Sequence, residues 1–166
     1  MNRIIAVTVL IFSAAALQAA AHNEIVVLSQ NQYLGVDLRP IVTAPDPAAF
    51  NEAVLAALAQ IESNNFEERA VVLAREIVTW QPHLVALQEV WDFKRNGVNK
   101  AAPYRDHLAD LMEALVRQGA SYQPVASVQN LSMTIPVDFD RNGEFDALVS
   151  VKDRDVILAR GACQAL

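Results

Sequence analysis

The sequence has little cysteine, little glycine and few basic side chains, and each shortage removes a class of protein. One Cys in 166 residues cannot staple a disulfide scaffold. Five Gly and seven Pro exclude collagen and low-complexity linkers, while a hydrophobic content of 53% excludes a chain too polar to build a core. Thirteen Lys and Arg against nineteen Asp and Glu give a net charge of -6. That balance argues against a broad basic track for nucleic-acid phosphates, though a local patch or a bridging metal would still hold an anionic substrate. A chain of this size buries roughly 70% of its unfolded surface, enough for one modest domain.

The one long apolar run lies at the start. Arg3, the stretch from Ile4 to Leu17 and the small residues Ala19-Ala20-Ala21 have the order of a secretory signal peptide, residues 1–21, with cleavage near His22. The run is shorter than the ~20 residues of a membrane-spanning helix, so no stable membrane anchor is expected. Export to the periplasm or the medium would leave Cys163 in an oxidising compartment with no partner in this chain.

Along residues 22–166 the periods change repeatedly. Ile25-Val26-Val27-Leu28 reads as a short strand covered on both faces, ending at Gln30-Asn31-Gln32. A loop through Gly35 and Pro40 leads to Asp46-Pro47, a cap with Pro at the first helical position, and to Phe50, Val54, Leu58 and Ile61 at helical spacing. A second helix is expected after Asn64-Asn65, over Val71, Leu73, Ala74, Ile77 and Val78, until Gln81-Pro82. Leu84-Val85-Ala86-Leu87 reads as a second buried strand. The polar stretch from Asp92 to Ala102 reads as a loop, and Tyr104, Leu108, Leu111, Met112 and Leu115 trace a third helix closed by Gly119. Strands are expected over 122–136, 147–151 and 155–159. No internal repeat is present. The order makes this an α/β chain, a layered sandwich rather than a doubly wound sheet.

Glu89 is the most informative residue. A carboxylate directly after four buried apolar positions is costly to desolvate unless a cation or strong donors meet it. Hard oxygen ligands at a strand end suit Mg2+ or Ca2+, and Mg2+ uses one or two carboxylates with waters and substrate phosphate oxygens. The competing reading pairs Glu89 with Arg69 or leaves it at a solvated strand edge. Asn31, closing the other strand, offers a carbonyl oxygen and an amide donor; an Asn there also serves as a turn former. If the two strands are adjacent and parallel, Asn31 and Glu89 emerge side by side.

Three segments, taken in order, carry a resemblance: Gln30-Asn31-Gln32-Tyr33-Leu34-Gly35-Val36-Asp37; Arg69-Ala70, expected ahead of a helix; and Gln81-Pro82-His83-Leu84-Val85-Ala86-Leu87-Gln88-Glu89-Val90. Together they resemble the opening half of the endonuclease/exonuclease/phosphatase superfamily, whose fold is of the deoxyribonuclease-I type. Asp153-Arg154-Asp155-Val156-Ile157-Leu158-Ala159-Arg160 resembles secreted bacterial members, and the similarity spans residues 25–160. His83 stands where the second motif usually has Asp, a position taken as structural. The resemblance implies a partial α/β sandwich, four-layered when complete, and a metal-dependent phosphodiesterase or phosphomonoesterase. It makes Glu89 a ligand of Mg2+ or another divalent cation, with Asn31 supporting the metal and phosphate site. Nucleic acid, sphingolipid head groups and small phosphoesters are its substrate classes.

The family's later motifs, an Asp-x-Asn after a strand and a terminal Asp-His pair, are absent, and His22, His83 and His107 do not sit in them. Residues 22–166 therefore resemble the N-terminal part of such a domain, expected to be weakly active or inactive alone. Its open sheet face would expose an apolar patch suited to a complementing chain. The rival reading is a non-catalytic exported fragment that binds a partner chain.

Asp138-Phe139-Asp140-Arg141-Asn142-Gly143 matches the front of a calcium loop, with Asp146 at its ninth position but Val149 at the twelfth. It reads either as a polar hairpin turn with Asn-Gly at its tip or as the centre of a calcium-stabilised binding domain. Asp153 and Asp155 alternate with Arg154, so Arg154 points to the face opposite both, and the trio reads as a local ion pair or a strand edge.

Overall fold

A computed structural model describes residues 24–97 and 105–161. The expected signal segment 1–21, His22, Tyr104 and Cys163 lie outside these residues. Among the described residues no helix is long and apolar enough to cross a membrane. In chain order the elements are β1 (Val27–Asn31), α1 (Arg39–Val42), α2 (Pro47–Ser63), α3 (Phe66–Trp80), β2 (Leu84–Gln88), β3 (Asp92–Gly97), β4 (Arg105–Asp106), α4 (His107–Arg117), β5 (Tyr122–Val137) and β6 (Ala147–Arg160). The chain is thus mixed α/β, with helices packed on one curled six-stranded sheet.

The helix boundaries follow local chemistry. Asp46 accepts a 2.8 Å hydrogen bond from the Ala49 amide, and Pro47 needs no acceptor for the N–H it lacks, so α2 starts where a cap and a first-turn proline agree. α3 stops at Gln81, which adopts a left-handed conformation (φ 46) ahead of Pro82. Ala70, Ala74 and Ile77 recur on one face of α3 and are fully buried, and α3 packs closely along α4. The Asp106 carboxylate caps α4 through the Leu108 amide at 3.0 Å.

β1 lies parallel to β2, with Asn31 opposite Gln88. β6 runs antiparallel to β2 along its second half and to β3 along its first, and β5 pairs with β6 from Val137↔Ala147 to Tyr122↔Arg160. The buried side of β6 switches along its length: Val149 and Val151 are buried in the first half, Val156 and Leu158 in the second. Since successive residues of a strand face opposite ways, the two pairs lie on opposite sheet faces. On one face, α3 and α4 cover Val85, Leu87, Val156 and Leu158. On the other, α2 and the α1 region cover Phe93, Val149 and Val151. Each fully buried Leu or Ile contributes ~1.5–3 kcal/mol relative to exposure.

Five expectations need correction. β1 is an edge strand rather than one covered on both faces: Val27 is 57% exposed, because β2 is its only neighbour among the described residues. Residues 92–97 form strand β3, not a loop, since β6 supplies its hydrogen-bonding partner. The two short strands expected over 147–151 and 155–159 are one strand, β6, paired throughout with β5. Arg39–Val42 is a short helix within the expected loop, and Arg69-Ala70 lies inside α3 rather than ahead of it.

Candidate functional site

The register of β1 on β2 brings the last residues of both strands to one sheet end, and the Gln32 amide extends the pairing to the Gln88 carbonyl at 2.8 Å. Glu89 follows at once with a left-handed backbone (φ 55), which turns its side chain across the end of β1. Asn31 Nδ2 donates to Glu89 Oε1 at 2.8 Å, and the Leu34 amide donates to Glu89 Oε2 at 2.9 Å. Asn31 Oδ1 in turn accepts from the Tyr33 amide at 2.7 Å. The two expected residues are therefore in direct contact, held by a turn that uses both ends of the Asn31 amide.

Arg69, the expected alternative partner, does something else. Its guanidinium donates to the carbonyls of Gln32 (2.5 Å) and Tyr33 (3.4 Å) and lies over the rings of Tyr33 and Phe66. It fixes the β1 turn from α3 and leaves Glu89 to neutral donors. Each carboxylate oxygen carries more than one acceptor site, so one hydrogen bond apiece leaves lone pairs on Glu89, and one on Asn31 Oδ1. Asn31 is exposed and Glu89 half-buried. A carboxylate and an amide oxygen, pre-oriented and open to solvent, match the small protein share of an Mg2+ shell.

The segment after Glu89 is pinned from β6. The Val90 amide donates to the Arg154 carbonyl at 2.8 Å, Arg154 Nε donates to the Val90 carbonyl at 3.2 Å, and Arg154 Nη2 meets Asp106 Oδ1 at 2.6 Å. Arg154 thus pairs with a carboxylate from β4 and not with Asp153 or Asp155. Neither described histidine meets the Glu89 carboxylate; His107 touches only the Glu89 backbone. Nδ1 of His83 accepts from the Val26 amide at the opposite end of β1. His107 is 1% exposed and stacks on Phe66 at 3.6 Å. Desolvation lowers its pKa to about 3, assisted by the Arg69 charge and opposed by a hydrogen bond with the Glu89 backbone. It is neutral at ordinary pH and cannot serve as an acid there.

The acidic segment 138–146 connects β5 to β6 as a loop longer than a two-residue hairpin turn. Carboxylate oxygens of Asp138, Asp140 and Asp146 lie within 4.8 Å of one another. The Asn142 amide donates to both Asp138 and Asp140, the Gly143 amide to Asp138 at 2.8 Å, and the Phe139 amide to Asp146. Burial pushes the Asp138 carboxyl up, but the Gly143 amide, the Asp140 side chain and the amides of Arg141 and Asn142 outweigh it and hold it below the ordinary carboxylate range. Asp146 Oδ2 is buried without a partner. Asn142 supplies Oδ1 to the Glu144 amide, as a turn residue does.

No protein-family model matches the chain, and no curated protein or solved structure matches it.

Proposed function

We propose that this chain is part of an exported, metal-dependent phosphoester hydrolase of the endonuclease/exonuclease/phosphatase superfamily, with a deoxyribonuclease-I-like sandwich as its complete fold. One observation carries the reading: the side-chain contact between Asn31 and Glu89, at adjacent ends of two parallel strands. Glu89 would ligate Mg2+, with Asn31 orienting it and offering its own amide oxygen. Such a cation polarises a phosphoryl oxygen and stabilises charge developing on it. The Leu34 amide and Arg69 act on geometry, holding the carboxylate and the turn that carries Asn31. In this reading the groups that move a proton come from a complementing chain or further sequence, since among the described residues His83 lies at the other end of β1 and His107 is neutral and bonded to the Glu89 backbone. A nucleic acid or a smaller phosphoester serves equally as substrate in this reading.

Calorimetric titration of the purified protein with MgCl2 tests the reading before any activity is needed. Mg2+ binding is expected for the wild type, lost in Glu89→Gln and weakened about tenfold in Asn31→Ala, as for removal of a residue that orients a ligand. Hydrolysis of bis-para-nitrophenyl phosphate by the complemented protein should stop with EDTA. Mg2+ binding that survives Glu89→Gln overturns the reading.

A second reading, a calcium-stabilised binding domain, is favoured by the unpartnered Asp146 oxygen beside Asp138 and Asp140. Ca2+ at this loop would raise the melting temperature, because a ligand selective for the native state stabilises it. A melt indifferent to millimolar Ca2+ ends that reading.

A further inference from the structure

The sheet face under α2 contains two adjoining cavities. One, about 140 Å3, is an apolar slot bounded by residues such as Leu34, Ile41, Val54, Met133 and Val151. The other, about 280 Å3, shares Leu58, Ile61, Phe93 and Val149 with it and carries Lys94, Arg95, Arg105 and Arg141. Four of the thirteen basic residues of an acidic protein thus border a single cavity, Lys94 through its backbone, since its side chain meets Asp92 on the other face of β3. Glu62 is also on the lining.

Those cations are not equally engaged. Arg141 meets Glu52 at 2.8 Å, Arg105 meets Glu67 at 3.3 Å and Lys94 lies 3.7 Å from Asp92. The Arg95 side chain forms neither an ion pair nor a hydrogen bond among the described residues. Its guanidinium lies 3.6 Å over the Phe139 ring, and its Nε is buried without an acceptor. A buried donor on a permanently charged group is costly to leave unpaired, and a planar fork suits an acidic head group. The slot beside it has the opposite character, a cavity wall of side-chain carbon that water fills poorly.

We propose that the two cavities together bind a single-chain amphipathic anion, its carboxylate or phosphate head against Arg95 and its alkyl chain in the slot under α2. A bare anion would leave the slot empty, and a neutral alkane would leave Arg95 unpaired. The combination is the usual make-up of a small-molecule site, an apolar body with few polar groups that fix orientation. This site takes a different ligand from the Asn31–Glu89 contact and shares only Leu34 with it.

Isothermal titration of the soluble protein with octanoate, octyl phosphate, octanol and inorganic phosphate tests the proposal. Both octyl anions should bind at one site, and octanol and inorganic phosphate at least about tenfold more weakly. From butanoate to octanoate, affinity should rise about fourfold per methylene until the slot is full. Arg95→Met keeps the apolar stem over Phe139 and should weaken octanoate about tenfold without lowering the melting temperature of the free protein. Ala57→Leu, which narrows the slot, should shorten the preferred chain. Equal binding of inorganic and octyl phosphate, undiminished binding in Arg95→Met, or no saturable binding of either octyl anion overturns the proposal.

Discussion

The two faces of the sheet are covered by helices of similar length but with different results. Under α3 and α4 the side chains of Ile77, Val85, Leu87, Leu111, Leu115 and Leu158 are all at or below 1% exposure. Under α2, Leu55, Leu58 and Ile61 are only partly buried and the cavities lie between them and the sheet. The difference follows the helices: α3 buries Ala70 and Ala74 and packs closely along α4, so the two seal one face together, whereas α2 covers the other with only the short α1 beside it, over a face that also accommodates charged β3. The strand-end contact between Asn31 and Glu89 is anchored from the sealed half, through Arg69 of α3. Rigid positioning is found where packing is complete, and open volume where it is not.

That contrast breaks most directly by truncating one side chain on each face. Leu158→Ala should cost about 2–5 kcal/mol, the range for a fully buried Leu whose surroundings cannot collapse. Leu58→Ala, bordering existing voids, should cost about 1–2 kcal/mol. Urea denaturation of both variants checks this, and equal losses would show the two faces to be equally well packed.

A second test uses His107, which lies inside the sealed half. Its folded pKa of about 3 is below the unfolded value of about 6.5, so between these the unfolded chain binds the extra proton. Stability contributed by neutral His107 is therefore complete above pH ~6.5 and lost as pH falls toward 3, at about 1.4 kcal/mol per pH unit. Arg69, Asp106 and Arg154 are the charges acting on it. His107→Phe keeps an aromatic ring against Phe66 and should flatten the slope measured between pH 6.5 and 4.5. A slope unchanged by that substitution would mean that water reaches the ring and the seal is incomplete.

How much of this was legible in the sequence depends on whether the signal was local. The Asp46-Pro47 start of α2, the Gln81-Pro82 end of α3 and the strand before Glu89 are short-range patterns and stand where the sequence puts them, although of Leu84-Val85-Ala86-Leu87 only Val85 and Leu87 are buried. The contact of Asn31 with Glu89 follows once the two strands are adjacent and parallel. β3 was not legible because Asp92-Phe93-Lys94-Arg95-Asn96-Gly97 has neither a β-branched bias nor an apolar period; pairing with β6 decides it. The Leu34 amide that clamps Glu89 has no sequence signature, since every residue but proline carries one. The Arg154–Asp106 pair joins residues far apart in sequence, and alternation alone could say only that Arg154 faces away from Asp153 and Asp155.

The smallest effects compare the caps of the helices on the two faces. Asp46 and Asp106 each accept an amide at the start of a helix, so replacing either by Ala removes about 1 kcal/mol of capping. Asp106 has a second role, because its Oδ1 also meets Arg154, and both side chains are at most 22% exposed. Removing it strands a partly buried guanidinium that otherwise holds the Val90 carbonyl beside Glu89. Asp106→Ala should therefore destabilise by about 2–3 kcal/mol against about 1 kcal/mol for Asp46→Ala. Only Asp106→Ala should also weaken the Mg2+ binding proposed for Glu89. If thermal melts show equal losses, Arg154 is solvated and the sealed half does not extend to the strand end that carries the site.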